Sequence, residues 1–168
     1  SALGRKTDQL IVDVLDAGSN SNNVVHGSAG LTLAKALTVY EAFGEGDVPD
    51  DGQRYFVVSP AGWADLLQID QFSRAEYIGE KELPYAGGMT AKRWLGFLWF
   101  SFSGLSISST TRDCHAWHRS SVGLAMGSDI RTEVNYIPEK VSNLITSYMS
   151  MGAVMIDNEG AIECQITE

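Results

Sequence analysis

The reactive side chains in this sequence are few. Cys114, His115 and His118 lie together, while His26 and Cys164 stand alone. A thiol beside an imidazole is a nucleophile next to its base, and the same atoms can ligate zinc. A zinc site needs about four ligands, usually as paired Cys/His spacings in two places, and no second pair exists here. On an extended segment Cys114 and His118 share one face and His115 points to the other. The triplet therefore reads as a small buried thiol with two partly exposed histidines. A small acidic hydrolase using Cys114 and His118 remains the rival from another function class.

Other constellations fail on spacing. Gly27-Ser28-Ala29-Gly30 has one residue between serine and the second glycine and follows no predicted strand, so it is not a nucleophile elbow. In Gly87-Gly88-Met89-Thr90-Ala91-Lys92 the lysine is misplaced for a phosphate loop and precedes a strand. Asp47, Asp50 and Asp51 beside Gly52 lack the twelve-position ligand rhythm of a calcium loop and read as a solvated acidic turn. Trp94, Phe97, Trp99, Phe100 and Phe102 have only Lys92 and Arg93 beside them, too few cations for a base-stacking platform, so packing is the favoured role. No catalytic centre, cofactor site or metal site emerges.

The elements that would position these residues point to an α+β chain. Leu3, Leu10, Ile11, Val14 and Leu15 recur at helical steps, predicting an amphipathic helix from Leu3 to Ala17. Thr32 caps a second helix with Leu33, Leu37, Tyr40 and Phe43 as its apolar stripe. Tyr55 to Val58 suits a buried strand, and Ser59-Pro60 starts a short helix carrying Trp63, Leu66 and Leu67. Residues 69–91 show no sustained period and read as a long excursion. Trp94 to Phe102 reads as one apolar strand and Cys114 to His118 as another. Alternation from Ile130 to Tyr136 predicts a half-buried strand stopped by Pro138, with Leu144 to Ala153 following. Asp157-Asn158-Glu159-Gly160 predicts a closing hairpin.

Composition bounds the rest. With 168 residues the chain is one domain in size and buries about 70% of its open surface, so it needs no staple. Twelve basic against 21 acidic residues give −9 and a pI near 4.7, which opposes a role in gripping nucleic acid. Two cysteines permit at most one bridge, and the most apolar run, Trp94 to Phe102, is too short to cross a bilayer. Ser1 to Gln9 show no secretory signal, and free thiols in a cytosolic or encapsulated protein are expected.

Several segments, in order, resemble the major capsid proteins of tailed bacteriophages. They are Arg54-Tyr55-Phe56-Val57-Val58-Ser59-Pro60, Trp63-Ala64-Asp65-Leu66-Leu67, Arg93-Trp94-Leu95-Gly96-Phe97 and Ala116-Trp117-His118-Arg119-Ser120-Ser121-Val122-Gly123-Leu124-Ala125. Asp129-Ile130-Arg131-Thr132-Glu133, Tyr148-Met149-Ser150-Met151-Gly152-Ala153 and Asp157-Asn158-Glu159-Gly160 extend the match. In the Ala116 segment, Arg119 and Ser121 replace the family's lysine and alanine.

The resemblance implies the Hong Kong 97-like coat-protein fold. Residues 1–18 and 129–168 would form the peripheral domain, as spine helix and return strands, and 19–128 the axial domain. Family members carry an N-terminal arm and an extended loop before the spine helix. Neither is found here, so the chain reads as a cleaved or truncated one. The implied function is structural: copies assemble into an icosahedral shell around a double-stranded genome, in the host cytoplasm and then in the virion. Implied partners are further copies, with scaffold, portal or maturation protease as auxiliaries, and neither sequence-specific nucleic acid nor membrane. An encapsulin-like or gene-transfer-particle shell is the alternative on the same fold. Phe72, Arg74, Tyr77 and Tyr85 in the excursion, with Arg131 and Glu133, are the expected subunit-contact residues.

Overall fold

The computed structural model describes residues 2–18, 23–73 and 91–168. Helix α1 (Ala2–Ala17) is followed by α2 (Leu33–Glu45), strand β1 (Arg54–Val58), α3 (Pro60–Gln68) and the single turn α4 (Asp70–Ser73). Then come β2 (Ala91–Trp94), β3 (Phe97–Ser101), β4 (Ile107–Ser108), β5 (Thr111–His118), β6 (Val122–Ile137), β7 (Ser142–Met155) and β8 (Ala161–Thr167). The helix starts are legible chemistry. Thr32 accepts from the Lys35 amide and Ser59 from the Gly62 amide, with Pro60 supplying a ready-made φ at the first position of α3.

Six strands form one sheet in the order β2-β3-β1-β5-β4, with β8 also paired to β5. Strand β1 runs parallel to β3 and antiparallel to β5, so its residues are enclosed on both edges and both faces. The core is aromatic. Phe56 stacks on Trp99 with ring centres 4.0 Å apart, and Phe43 meets Phe97 edge-on at 5.1 Å. Trp99 directs its indole N–H to the Trp94 carbonyl at 2.9 Å, which satisfies the one polar atom this buried ring carries.

Four expectations are corrected. The run from Trp94 to Phe102 is not one strand. Leu95 and Gly96 take φ of 49° and 77°, so the chain reverses there and β2 pairs back on β3. The buried face of α2 is Lys35, Ala36, Val39 and Phe43, whereas Leu37 and Tyr40 are 45% and 42% exposed. The helix is rotated because the Lys35 ammonium is held inward by backbone carbonyls, a pull that an apolar count does not register. The turn at 157–160 closes no hairpin, since β7 pairs with β6 and β8 with β5. It passes the chain from one sheet to the other, anchored by Ile156 and Asp157 amides on the Ser121 carbonyl.

The fourth concerns 129–137, which is not half-buried. Strands β6 and β7 form a separate two-stranded sheet that projects as an arm, and its outer residues are exposed on both faces. Its base lies against α1, and a methyl of Met155 sits close to Gly18. Strand β8, which the expected domain division would group with this arm, is instead hydrogen-bonded along β5 over residues 161–167.

Candidate interaction surface

Whether turnover chemistry is built here depends on the surroundings of the reactive residues. Cys114 and Cys164 face each other across β5 and β8, both free and fully buried. Burial pushes the Cys164 thiol up to about 12 and Cys114 higher still, so neither offers a thiolate. Accordingly, Ellman's reagent at pH 8 should leave both thiols unmodified in the folded chain and titrate two after denaturation. Rapid labelling of the folded chain would refute this assignment.

The histidines are not partly exposed, as expected, but 1% and 5% exposed, because each is used to tie two elements together. His115 Nε2 lies 2.6 Å from Asp16 of α1. His118 Nδ1 accepts from the Ser120 hydroxyl at 2.7 Å, and its Nε2 lies 3.1 Å from Asp51. This serine-histidine-aspartate string escapes sequence reading because Asp51 is 67 positions away. The Asp51 carboxyl is lowered by the Gln53 amide first and by His118 second. The Ser120 amide also bonds His118 Nδ1, at 3.3 Å, so the imidazole caps the short turn Arg119–Ser121. A hydrolase further needs a substrate groove and oxyanion donors. One open groove of about 400 Å³, lined by Val24, Val25 and the α2 residues Thr38, Glu41 and Glu45 among others, includes none of the string's residues. Among the described residues no group of three metal-ligating side chains has metal geometry.

What the structure does build is an exposed apolar surface on the arm. Cross-strand pairs put Thr132 with Ser147, Val134 with Ile145 and Tyr136 with Asn143 on one face. The other face carries the pairs Arg131–Tyr148, Glu133–Thr146 and Asn135–Leu144. The first of these faces is free of charge and exposes Val134 at 62%, Ile145 at 67% and Tyr136 at 60%. It continues along β7 into Met149, Met151, Ala153 and Met155, which are half-buried where β7 meets α1. One face of one strand is thus covered by the chain's own helix at its base and, among the described residues, by nothing farther out.

Of the expected contact residues, Arg131 and Glu133 are exposed on the opposite, polar face, where Glu133 accepts from the Tyr148 hydroxyl at 2.9 Å. Phe72 does not meet that expectation. It is fully buried, edge-on to Trp63 at 5.7 Å and Trp94 at 5.4 Å, because α4 folds it back into the core beneath Lys92. Arg74, Tyr77 and Tyr85 lie outside the described residues. The apolar face of the arm was missed in the sequence because its alternation is the pattern of a strand resting on its own core.

Comparison with known proteins bears on what meets that face. A family model described as phage capsid protein matches residues 1–168. No curated protein matches the sequence. Among solved structures, a chain from Mycobacterium phage Che8 superposes with a TM-score of 0.71 at 17% identity, covering 97% of this chain and 59% of its own length. The capsid of cyanophage P-SCSP1u gives 0.68 at 16% identity, covering 99% of this chain and 63% of that one. An encapsulin from Synechococcus elongatus PCC 7942 gives 0.64 at 8%, covering 99% and 62%. The Hong Kong 97-like fold expected from the sequence is the fold these structures share with the chain.

Proposed function

Since the chain belongs to the phage capsid protein family, we propose that it is a shell-forming major capsid subunit whose arm meets other copies of itself. The chain spans about 60% of the length of the two phage structures it resembles, so the assembly itself is a proposal for the protein as a whole. The observation that carries the reading is the uncovered apolar face of the arm. A two-stranded sheet is marginally stable alone, and an apolar face left in water favours association.

Charge supports a like partner. The arm from 122 to 156 carries two basic and three acidic residues, net −1, leaving −8 on the rest of the chain. Two arms therefore approach with little repulsion, whereas two bodies repel. Arg131 and Glu133 on the polar face supply opposite charges for register between neighbours. Helix α1 and the arm act as the peripheral unit and the six-stranded sheet as the axial one, with β8 joining them. In this role the genome is a double-stranded DNA enclosed by an acidic wall to which it does not adhere. The auxiliaries are scaffold, portal and maturation protease, and the locations are the host cytoplasm and then the virion.

Electron microscopy of the full-length protein after expression tests the reading. Hollow, uniform polyhedra are expected. A protein that stays monomeric at all concentrations, or forms only amorphous material, overturns it. Nucleic acid inside the particle distinguishes a virion or gene-transfer shell from a cellular compartment holding protein cargo.

A further inference from the structure

Helix α1 carries a carboxylate, Asp16, in its last turn, where the helix dipole would favour a cation. Asp16 is held by His115 at 2.6 Å and by the Ser106 hydroxyl, which donates to its other oxygen. Two more carboxyls approach from the sheet. Asp113 precedes His115 by two residues on the same face of β5, and Glu163 is the register partner of His115 on β8. Gln165, the register partner of Asp113, donates to Glu163 at 2.8 Å. His115 Nδ1 and Asp113 Oδ1 are buried without a hydrogen-bond partner among the described residues. Three carboxyls and one imidazole thus share the junction between α1 and the sheet.

Among the described residues, no lysine or arginine on the surrounding elements answers them. Arg112 on β5 is committed to Glu168 at 2.9 Å and to the Leu105 carbonyl at 2.9 Å. Strand β7 has no charged residue, and β6 has none before Asp129. On α1, Arg5 reaches Ser103, about three turns from Asp16, and Asp13 is engaged by Gln9. Burial is the largest cause raising both Asp113 and Glu163, and the charge of Asp16 adds to each. For Asp16 burial also pushes upward, but the His115 and Ser106 hydrogen bonds together outweigh it and hold the group below the usual carboxylate range.

We propose that this cluster is a proton-operated latch between α1 and the six-stranded sheet, closed while Asp113 and Glu163 carry protons and loosened when both ionise beside Asp16. A carboxyl raised by folding contributes stability that is complete below its unfolded value and lost as pH rises through its folded value. Asp16 has the opposite sign, and its contribution is lost only as pH falls below the ordinary aspartate range. The junction is therefore tightest in mild acid and loosens toward neutral and alkaline pH. Because α1 also packs on β7, the latch transmits pH to the base of the arm.

Hydrogen exchange of the 168-residue chain, expressed as protection factors at pH 5 and pH 8, tests this directly. Protection of α1 amides should fall about tenfold on going to pH 8, as both carboxyls release protons that the closed junction holds more tightly than the open one. Over the same interval β1 and β5 should stay within about twofold. The double variant Asp113→Asn with Glu163→Gln should hold α1 protected at both pH values. The single variant Glu163→Gln should give about half the logarithmic effect if the double one does not fold. Protection of α1 that is flat or rises with pH in the wild-type chain, or a fall that persists in a folded variant, overturns the latch. Assembly plays no part in these readouts, so they stand apart from the shell test.

Discussion

Replacing Lys35 by methionine is expected to cost the folded chain about 3–5 kcal/mol, a large share of the 5–15 kcal/mol that holds a domain of this kind together. The Lys35 ammonium donates to four backbone carbonyls, those of His26, Ala29, Gly30 and Gln165, at 2.7–3.1 Å. Three protons serve four oxygens, so one is shared, and a neutral amine could not satisfy the set. Burial lowers its pKa from the ordinary lysine value, and the Asp65 carboxylate opposes that shift. Methionine matches the stem but returns nothing to the carbonyls, which then stay buried and unpaired. It would also release the loop at 26–30 from the end of β8. Urea denaturation measures the loss. Lys92→Met is the internal control, because among the described residues that ammonium donates to a single carbonyl, that of Phe72, and sits 4.4 Å from the Phe72 ring centre. Its cost should be about 1–3 kcal/mol. A Lys35→Met chain losing less than about 1 kcal/mol would show that the cage is not a structural node.

The second large effect falls on assembly and spares the fold. Val134→Asp combined with Ile145→Asp places two carboxylates on the uncovered face of the arm, at a directly opposed cross-strand pair. Both sites are more than 60% exposed, so an isolated chain should lose no more than about 1–2 kcal/mol, mostly from carboxylate repulsion. An interface that buries this face would instead bury two unpaired charges in every contact, and charge burial without a partner costs several kcal/mol per site. Particles should disappear from electron micrographs and the variant should sediment as small species, with circular dichroism unchanged. The matched variant Arg131→Ala with Glu133→Ala, on the opposite face, should weaken assembly less and in a salt-dependent way. Normal particles from the aspartate pair would sink the arm contact while leaving the family assignment intact.

How much of this was legible beforehand depends on the range of the interaction concerned. The caps at Thr32 and Ser59, the amphipathic α1 and the buried β1 follow from neighbours a few positions apart, and the structure keeps each of them. The ordered segments from Arg54 to Gly160 identified the family correctly, as the match over residues 1–168 shows. Where the reading failed, a distant partner had intervened. Lys35 turns α2 because Gln165, 130 positions away, belongs to its cage. Phe72, on α4, is core because Trp94 closes over it from strand β2.

By itself, then, the amino-acid sequence determined local conformation and the lineage of the chain, since propensity, capping and segment order are written along the chain. Only the tertiary structure decided that β6 and β7 leave the body as an arm, and that Asp16, Asp113, His115 and Glu163 converge. The physical reason is that alternating polarity specifies a strand with one apolar face but not what covers it. Likewise, like charges become a cluster only once three separate elements are folded onto one another.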